Sequence, residues 1–334
     1  MKITVLSGGV GGARFLRGLR SFVQAEHPDA SITAIVNTGD DMWLTGLRVA
    51  PDLDSVMYTL AGENDEQRGW GRLGETERVS GELRAYGIGW PWFTLGDLDI
   101  GTHLTRSHYL RSGMPLSEAT ALMTARWPLG VTLIPATDDE VETHVVTDQG
   151  TMHFQEWWTR HRASLPARSF VQQGVSSAIP APGVLEAIAD ADVVLFAPSN
   201  PVVSIGTILG IPGIRDAVAA TSATVAGVSP IIAGSVVRGM ADACLTAIGV
   251  ETSALAVASY YGSRSNGGMS SGARSAGGIP NGGLLDAWLV DETDATSVSA
   301  LEALGLRAAA VPLWMRGPAT SAQLAADALT LALR

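Results

Sequence analysis

The chain has 334 residues, of which 46% are hydrophobic and 16% are charged, a composition typical of a globular protein with a large core. Its 33 acidic and 22 basic side chains give a net charge of −11, and the basic residues form no run, which argues against binding to a nucleic-acid backbone. The length fits two domains, or one large α/β domain with an insertion.

Lysine and cysteine are almost absent, and this excludes several chemistries. Lys2 is the only lysine, which removes a Schiff-base lysine and the lysine of a Walker phosphate loop. Cys244 is the only cysteine, so an intrachain disulfide and a cysteine-rich zinc site are excluded. The first apolar residues are too few for a secretory leader, and no stretch reaches about 18 apolar residues. We therefore expect a cytoplasmic protein with no membrane partner.

The opening residues predict a strand, a glycine-rich turn, a helix and a second strand. Residues 3–6 favour a strand, 7–12 contain the glycines, helical spacing of apolar residues runs over 15–22, and 32–36 again favour a strand. This order begins a doubly wound parallel sheet, which binds ligands at the carboxyl ends of its strands.

The rest of the chain predicts an interrupted α/β fold. Residues 51–127 have mostly helical spacing. Further strands are predicted at 131–136, 143–147, 151–154, 193–196, 224–228, 285–290 and 308–313, the second and third of these forming a hairpin. We predict a core formed by 1–50 and 170–334, with 51–169 as a smaller, partly helical insertion. The Gly- and Ser-rich segment 263–283 is interpreted as a flexible surface loop or, alternatively, as a lid over the site.

The glycine-rich turn is a candidate phosphate site. Its glycines would let a ligand approach the backbone, and the following helix offers free N–H groups. Arg14 stands where the dinucleotide fingerprint needs a third glycine, so that fingerprint is broken. A merely tight turn is the alternative. The glycines concerned are Gly8, Gly9, Gly11 and Gly12.

Two acidic pairs follow the second predicted strand. Asp40 and Asp41 come directly after it, and Asp52 and Asp54 follow Pro51. The second pair could serve only as a helix cap and a first-turn dipole partner. Because both pairs border the same predicted strand end, we favour a divalent cation held by carboxylate oxygens, and magnesium suits such ligands.

Three further groups of residues have both a functional and a structural interpretation. If residues 98–111 are helical, then Asp99, His103 and Arg106 lie on one face of the helix. They would form either a buried polar network or a stripe that faces the substrate. His144 and His153 would need a third ligand to hold a metal, and the Trp pair at 157–158 fits a planar ligand or the core. The turns at 197–201 and 229–230 follow predicted strands and would recognise a base or ribose, or only form turns.

Taken in order, the motifs resemble one family. They resemble those of the 2-phospho-L-lactate transferase family of deazaflavin coenzyme F420 biosynthesis, and the likeness covers nearly the whole chain. The residues at 67–71 and 153–158 look most like the actinobacterial branch of this family. The chain departs from the family at 263–283. The segments that carry the resemblance are 7–14, 37–41 with Trp43, 51–54, 95–97 with Thr102 and His103, 137–139, 154–155, and 198–201 with Ser204.

The resemblance implies a Rossmann-like core of mostly parallel strands with helices on both faces, a second smaller domain, a homodimer and dependence on Mg²⁺. It also implies the reaction. A phosphoenolpyruvyl or 2-phospho-L-lactyl group passes from a guanosine-diphosphate-linked donor to the ribityl hydroxyl of the deazaflavin Fo, GMP leaves, and (dehydro) coenzyme F420-0 forms. The actinobacterial branch uses phosphoenolpyruvyl.

The resemblance also implies roles for individual residues. Asp40 and Asp52 would bind magnesium, and Asp54 and Thr94 would contact Fo, so that Asp40, Asp52 and Asp54 form the catalytic set. The residues that would hold the nucleotide and its diphosphate are Gly8, Gly9, Gly11, Gly12, Asn37, Ser199 and Asn200.

Two other function classes share parts of this pattern. The gluconeogenesis-factor family of sugar-nucleotide-binding regulators also has a glycine-rich turn and an Asp-Asp pair, but there the pair leads into a Gly-Gly-Ser-Ser-Gly run that this chain lacks. A nicotinamide dehydrogenase is disfavoured by Arg14.

Overall fold

The computed structural model describes residues 1–266 and 283–334. Most of the segment 263–283, which we predicted to be a loop, lies outside these described residues. Within them the strands are β1 (Lys2–Ser7), β2 (Ser31–Val36), β3 (Met42–Leu44), β4 (Leu47–Val49), β5 (Thr132–Pro135), β6 (Glu142–Thr147), β7 (Gly150–His153), β8 (Ser169–Gln173), β9 (Val193–Phe196), β10 (Thr224–Val228), β11 (Ile231–Ile232), β12 (Ser235–Val236), β13 (Ala287–Asp291) and β14 (Arg307–Val311).

The helices alternate with these strands over much of the chain. They are α1 (Gly9–Glu26), α2 (Pro51–Ala61), α3 (Arg78–Ala85), α4 (Asp97–Arg111), α5 (Leu116–Thr124), α6 (Val184–Ala189), α7 (Ile205–Gly210), α8 (Ile214–Ala220), α9 (Ala241–Ala247), α10 (Ala254–Tyr261), α11 (Val298–Ala303) and α12 (Pro318–Leu333). None of the described helices is long and apolar enough to cross a lipid bilayer.

Seven strands form the central sheet, in the order β14-β13-β10-β9-β1-β2-β5. Every neighbouring pair in this sheet is parallel. The chain therefore builds the sheet outward from β1 in both directions, and the strand order reverses between β1 and β9. A doubly wound sheet opens a ligand crevice at such a reversal. The predicted α/β, Rossmann-like fold is confirmed.

Both faces of the central sheet are buried. Along β9, Val193 and Leu195 belong to one hydrophobic cluster, whereas Val194 and Phe196 belong to the other. Because successive strand residues point to opposite faces, each cluster lies on its own side of the sheet. Because strands of this kind are buried on both faces, their sequences are continuous apolar runs. Such runs are the pattern from which these strands were predicted.

Apart from the short β11–β12 pair, the smaller sheets lie between β2 and β9 in the chain. An antiparallel sheet has the order β7-β6-β8, and its β6–β7 hairpin is the predicted one. The edge strand β5 of the central sheet also lies within 51–169, where it pairs with β2. The division of the chain into a core and an insertion at these boundaries stays a prediction.

Local sequence explains the start and end of α2, the helix that carries two of the candidate acids. Pro51 is its first residue, where the missing N–H costs no hydrogen bond, and Asp52 and Asp54 lie in the first turn, where the helix dipole favours a negative charge. The helix ends at Gly62, whose φ of +73° is the left-handed conformation that glycine adopts easily.

Candidate active site

A large cavity lies at the carboxyl ends of the central strands. Its volume is about 1160 Å³, and it is lined by residues that directly follow β1, β2, β9, β10 and β14. Helices α2 and α4 form another part of its wall. It therefore occupies the crevice that the strand order predicts. The predicted site residues that line it are Gly8, Gly9, Gly11, Asp40, Asp52, Asp54, Thr94, Ser199 and Asn200.

The glycine-rich turn packs tightly against the turn that follows β9. The Gly8 N–H donates to Ser199 Oγ over 3.0 Å, and the Ser199 hydroxyl donates to the Gly8 carbonyl over 2.8 Å. A Cβ atom added to Gly11 would lie 2.5 Å from the Pro198 carbonyl oxygen. One added to Gly12 would overlap Ser7 Oγ. Glycine at these positions is thus explained by contact between protein segments, and phosphate binding at the turn stays a prediction.

Asn37, which follows β2, and Asp52 of α2 are hydrogen-bonded to each other beside the amino end of α1. The Asn37 amide donates to Asp52 Oδ2 over 2.9 Å, and Asn37 Oδ1 accepts the Gly39 N–H at 3.0 Å. The Gly9 N–H also donates to the Asp52 carboxylate, which therefore caps α1 from another helix. Asn37 and Gly12 are buried, and neither lines the cavity.

The Asp40 and Asp52 carboxylates lie close enough to repel each other. Burial raises the pKa of Asp40 well above its usual value, and the charges of Asp52 and Asp41 raise it further. Burial also raises the pKa of Asp52 to about 6, although hydrogen bonds from Asn37 and Gly9 oppose this shift. Two buried carboxylates with raised pKa values in a cavity mark a site where a cation or a proton is favoured.

Arg106 of α4 holds the Asp54 carboxylate with two hydrogen bonds. Its Nη1 donates to Asp54 Oδ2 over 3.0 Å, and its Nη2 donates to Asp54 Oδ1. Both side chains are almost fully buried, with 3% and 5% exposed. Arg106 Nη1 also donates to the carbonyl of Arg48, the middle residue of β4, over 3.2 Å. A buried arginine with a bidentate carboxylate partner is a rigid pair.

Asp99 and His103 complete this polar group beside Asp54. The Tyr58 hydroxyl donates to Asp99 Oδ1 over 2.7 Å. The His103 ring lies between the two acids, with Nδ1 3.4 Å from Asp54 Oδ2 and Nε2 3.2 Å from Asp99 Oδ2. Burial alone would raise the pKa of Asp99, but His103 and the Tyr58 hydroxyl lower it below its usual value. The predicted face of Asp99, His103 and Arg106 is thus a buried network, of which the first two also line the cavity.

Two sets of side chains could hold a metal ion. Ligand atoms of Asp54, Asp99 and His103 lie within 4.8 Å of one another. However, Arg106 bonds both Asp54 oxygens and places its positive charge beside them, so a metal cation there would be repelled. Asp40 Oδ1, in contrast, is buried and accepts no hydrogen bond from the described residues. A cation shared with Asp52 would satisfy this oxygen and relieve the repulsion, so the Asp40–Asp52 pair fits magnesium better.

Sequence reasoning missed several residues of the cavity. Arg238 and Trp314 line it although no motif pointed to them. The signal for Tyr58 was present, because it lies four residues after Asp54 on the same helix face. Trp314 follows β14, and the strand order brings the end of that strand to this wall, whereas Arg238 follows the separate β11–β12 hairpin. Neither position could be predicted from neighbouring residues.

The remaining predicted groups separate into cavity and core. Ser229, Pro230 and Asn200 all line the cavity. The Asn200 side chain is engaged by the protein, because its Oδ1 accepts hydrogen bonds from the Val202 and Val203 N–H groups in an Asx turn. Trp158 lines the cavity, whereas Trp157 is fully buried in the core.

His144 and His153 form a cross-strand pair of the β6–β7 hairpin. Their ring centroids are 5.5 Å apart. Glu142 Oε2 lies 3.5 Å from His144 Nε2, but within residues 1–266 and 283–334 the two rings and a third side chain do not bring their ligand atoms within 4.8 Å of one another. The pair is therefore explained by the pairing of the hairpin.

Comparison with known proteins decides the family. The sequence pattern of the family described as "2-phospho-L-lactate transferase CofD" matches residues 3–309. The chain belongs to this family. As a member of the CofD family, the protein is an enzyme of the transferase class, as the resemblance implied.

The curated relatives match over their whole length. A phosphoenolpyruvate transferase of Thermobifida fusca is 57% identical, covering 100% of this chain and 98% of the relative. A phosphoenolpyruvate transferase of Streptomyces coelicolor is 53% identical, covering 99% and 98%. One from Mycobacterium sp. (strain JLS) is 50% identical, covering 99% of each chain.

Solved structures of a more distant protein share the fold. A crystal structure of protein BH3568 from Bacillus halodurans has a TM-score of 0.59 and 18% identity, and covers 98% of both chains. A second structure of BH3568, described as a member of the UPF0052 family, matches with the same score. At this identity the likeness concerns the fold alone.

Proposed function

We propose that the protein transfers a phosphoenolpyruvyl group from a guanosine-diphosphate-linked donor to the terminal ribityl hydroxyl of the deazaflavin Fo, releasing GMP and forming dehydro coenzyme F420-0. The observation that carries the proposal is that Asp40, Asp52 and Asp54 meet the amino end of α1 in one cavity. The choice of phosphoenolpyruvyl over 2-phospho-L-lactyl rests on the names of the 50–57% identical relatives.

The reaction needs alignment and charge compensation more than covalent help from the protein. The hydroxyl oxygen of Fo forms a bond to the phosphorus that carries the three-carbon acid. The bond from that phosphorus to the bridging oxygen breaks, GMP leaves with this oxygen, and the hydroxyl proton passes to the medium. Negative charge therefore develops on the transferred phosphoryl group and on GMP.

Several groups of this chain suit the donor. The N–H of Gly9 is taken by Asp52, so the next N–H groups of the first turn of α1 would face the diphosphate. Arg14 and Arg238 line the same cavity, and neither has a carboxylate within 4.0 Å among the described residues. Burial lowers the pKa of Arg238, and the charge of Arg14 lowers it further, so an anion between the two would be favoured. The side chains of Ser199 and Asn200 are engaged by the protein, so they would act on the nucleotide through the shape of their turn.

On the acceptor side, Asp54 would orient the hydroxyl of Fo, and Thr94 would lie beside the ribityl chain. Asp40 and Asp52 would hold Mg²⁺, which supplies positive charge at the phosphate oxygens when it is bound. The aromatic side chains Trp92 and Phe93 line the cavity and would exclude water from the deazaflavin ring.

The test is a product assay with purified protein, Fo and each of the two donors, with Mg²⁺ and with excess EDTA. We expect a product with the mass of dehydro coenzyme F420-0 from the phosphoenolpyruvyl donor, and loss of turnover in EDTA. Asp52→Asn should abolish the response to Mg²⁺. Its matched control is Asp327→Asn on α12, whose carboxylate bonds Gln323 away from the cavity.

Three results would change the proposal. A product from the phospholactyl donor alone would correct the transferred group. Binding of a UDP-sugar without any turnover would favour the regulator class and refute the transfer reaction. Full activity in EDTA would remove magnesium. A homodimer and a cytoplasmic location stay predictions, and light scattering after size-exclusion chromatography would test the first.

A further inference from the structure

Arg106 holds the Asp54 carboxylate with two hydrogen bonds but does not itself line the cavity. The side chains of Asp54, Tyr58, Asp99 and His103 line the cavity, and Arg106 lies behind them. Only 2% of Arg106 is exposed. It therefore cannot touch a substrate without a rearrangement of α4, and any effect on the reaction must pass through the cavity residues that it contacts. These are Asp54, which it holds with two hydrogen bonds, and His103, whose Nδ1 lies 3.3 Å from Arg106 Nη1.

The bond from Arg106 fixes the direction of the Asp54 carboxylate. An ionised carboxylate offers about four lone-pair positions, and the guanidinium occupies one on each oxygen. The remaining positions are the ones available to a hydroxyl group in the cavity. Without Arg106, the carboxylate could rotate about its Cβ–Cγ bond, because no other described side chain bonds both of its oxygens.

The backbone partner of Arg106 makes the arrangement rigid. Its bond to the Arg48 carbonyl ties the guanidinium to β4, while the aliphatic part of the side chain belongs to α4. On the other side, the bond from the Tyr58 hydroxyl to Asp99 ties α2 to α4 one turn further along α2. The Arg106–Asp54 and Tyr58–Asp99 bonds therefore join α2 to α4 at two successive turns, which restrains Asp54.

Stability alone does not account for a buried ion pair at this place. Replacing such a pair by well-packed apolar residues is often neutral or stabilising, because both charges lose their water on burial. Here the Asp54 carboxylate of the pair faces the cavity, where a fixed orientation of its oxygens would help to position a substrate.

We propose that Arg106 is a positioning residue for the acceptor: it fixes the Asp54 carboxylate so that the hydroxyl of an alcohol substrate is aligned with the reacting phosphorus. The proposal rests on the proposed function for the identity of this alcohol. Its consequence is a specific loss of turnover, because misplacement of an orienting group by about 1 Å costs about 100-fold in rate.

The experiment compares wild-type protein with Arg106→Ala and Arg106→Lys in steady-state transfer to Fo. For Arg106→Ala we expect a kcat lower by about 30- to 100-fold and a KM for the donor within about threefold of wild type. Guanidinium chloride at non-denaturing concentration should restore part of the kcat, whereas sodium chloride at equal ionic strength should not. Arg106→Lys keeps the charge but not the fork, so it should stay at least tenfold below wild type.

The matched control is Arg264→Ala. Arg264 also bonds a carboxylate and two carbonyl groups, those of Asp286, Ala223 and Thr221, but it does not line the cavity. This variant should keep its kcat even if its melting temperature falls. Loss of kcat in both variants, or no rescue by guanidinium, would overturn the positioning role in favour of a structural one.

Failure of the two proposals can be told apart. A wild-type protein that makes no product from Fo overturns the proposed function and this role together. An active wild type beside an Arg106→Ala variant of unchanged kcat overturns the role of Arg106 alone.

Discussion

Gly11 provides a sharp test of the contact between the glycine-rich turn and the turn after β9. In Gly11→Ala, the new Cβ would lie 2.5 Å from the Pro198 carbonyl oxygen, a distance that real Cβ atoms do not show. The position of the Cβ atom is fixed by the backbone of residue 11, and the Pro198 carbonyl is itself a backbone group, so no side-chain rotation relieves the overlap. Overpacking of this kind costs about 1–3 kcal/mol. Alanine gains up to about 1 kcal/mol over glycine in a helix, so the net loss of stability is about 0–2 kcal/mol.

A second Gly→Ala change, at a helix position without steric contact, separates the steric cost from the gain in helix propensity. Gly101 lies on the exposed face of α4, and its added Cβ would meet nothing within 4 Å. Gly101→Ala should therefore show only the gain in helix propensity. The difference in the free energy of unfolding between the two variants, measured in urea, should be about 1–3 kcal/mol.

The same displacement should weaken nucleotide binding. The start of α1 and the Pro198 turn both line the cavity, so they must move apart where the diphosphate is expected. If about 1–2 kcal/mol is lost on binding, the Kd for GDP rises about 5- to 30-fold, which calorimetry can measure. Equal stability and equal GDP affinity in the two variants would refute the close-contact explanation.

Three further predictions use other residues. Asp54→Asn should lower turnover by at least about 100-fold with little change in GDP affinity, and near-normal initial rates would remove Asp54 from the mechanism. Burial lowers the pKa of His153 to about 4, so this side chain binds fewer protons in the folded protein than in the unfolded chain between pH 4 and 6.5. The contribution of His153 to the free energy of unfolding should therefore fall by up to about 3 kcal/mol as the pH drops through that window, while the raised pKa of Asp52 acts in the opposite direction. The difference in free energy of unfolding between wild type and His153→Asn, measured by urea titration at each pH, isolates the histidine contribution and should decrease as the pH falls. Cys244 is fully buried and burial raises its pKa to about 12, so a thiol reagent at pH 8 should label it only after unfolding, and rapid labelling of the native protein would contradict the structure.

Local patterns predicted the sheet well. The strands β1, β2, β9 and β10 are short apolar runs bounded by turn residues, and their predicted ends agree with the structure within about two residues. The helix α1 and the β6–β7 hairpin were predicted from apolar spacing and from Gly150. These features depend on neighbouring residues, and that is why the sequence reveals them.

Features that depend on contacts between distant segments could not be predicted in the same way. The helical spacing placed Asp99, His103 and Arg106 on one face, but nothing in the sequence indicated that Arg106 would bond Asp54, which lies 52 residues away. The glycines were interpreted as room for a ligand, and the structure shows Pro198 and Ser7 against two of them. Packing of this kind is decided by the strand order and not by local propensity.

The hydrogen bonds between Gly8 and Ser199 span 191 positions of the chain. Helix α1 also packs on α12, the last helix, so closely that a side chain at Gly18 would overlap the Ser321 backbone. A ribosome adds residues from the amino end, so Gly8 and Gly18 are synthesised long before Ser199 and Ser321, their partners in these contacts. A nascent chain that stops before Ser199 is therefore expected to have no affinity for guanine nucleotides, and fragments that stop before α12 should be early targets of proteolysis.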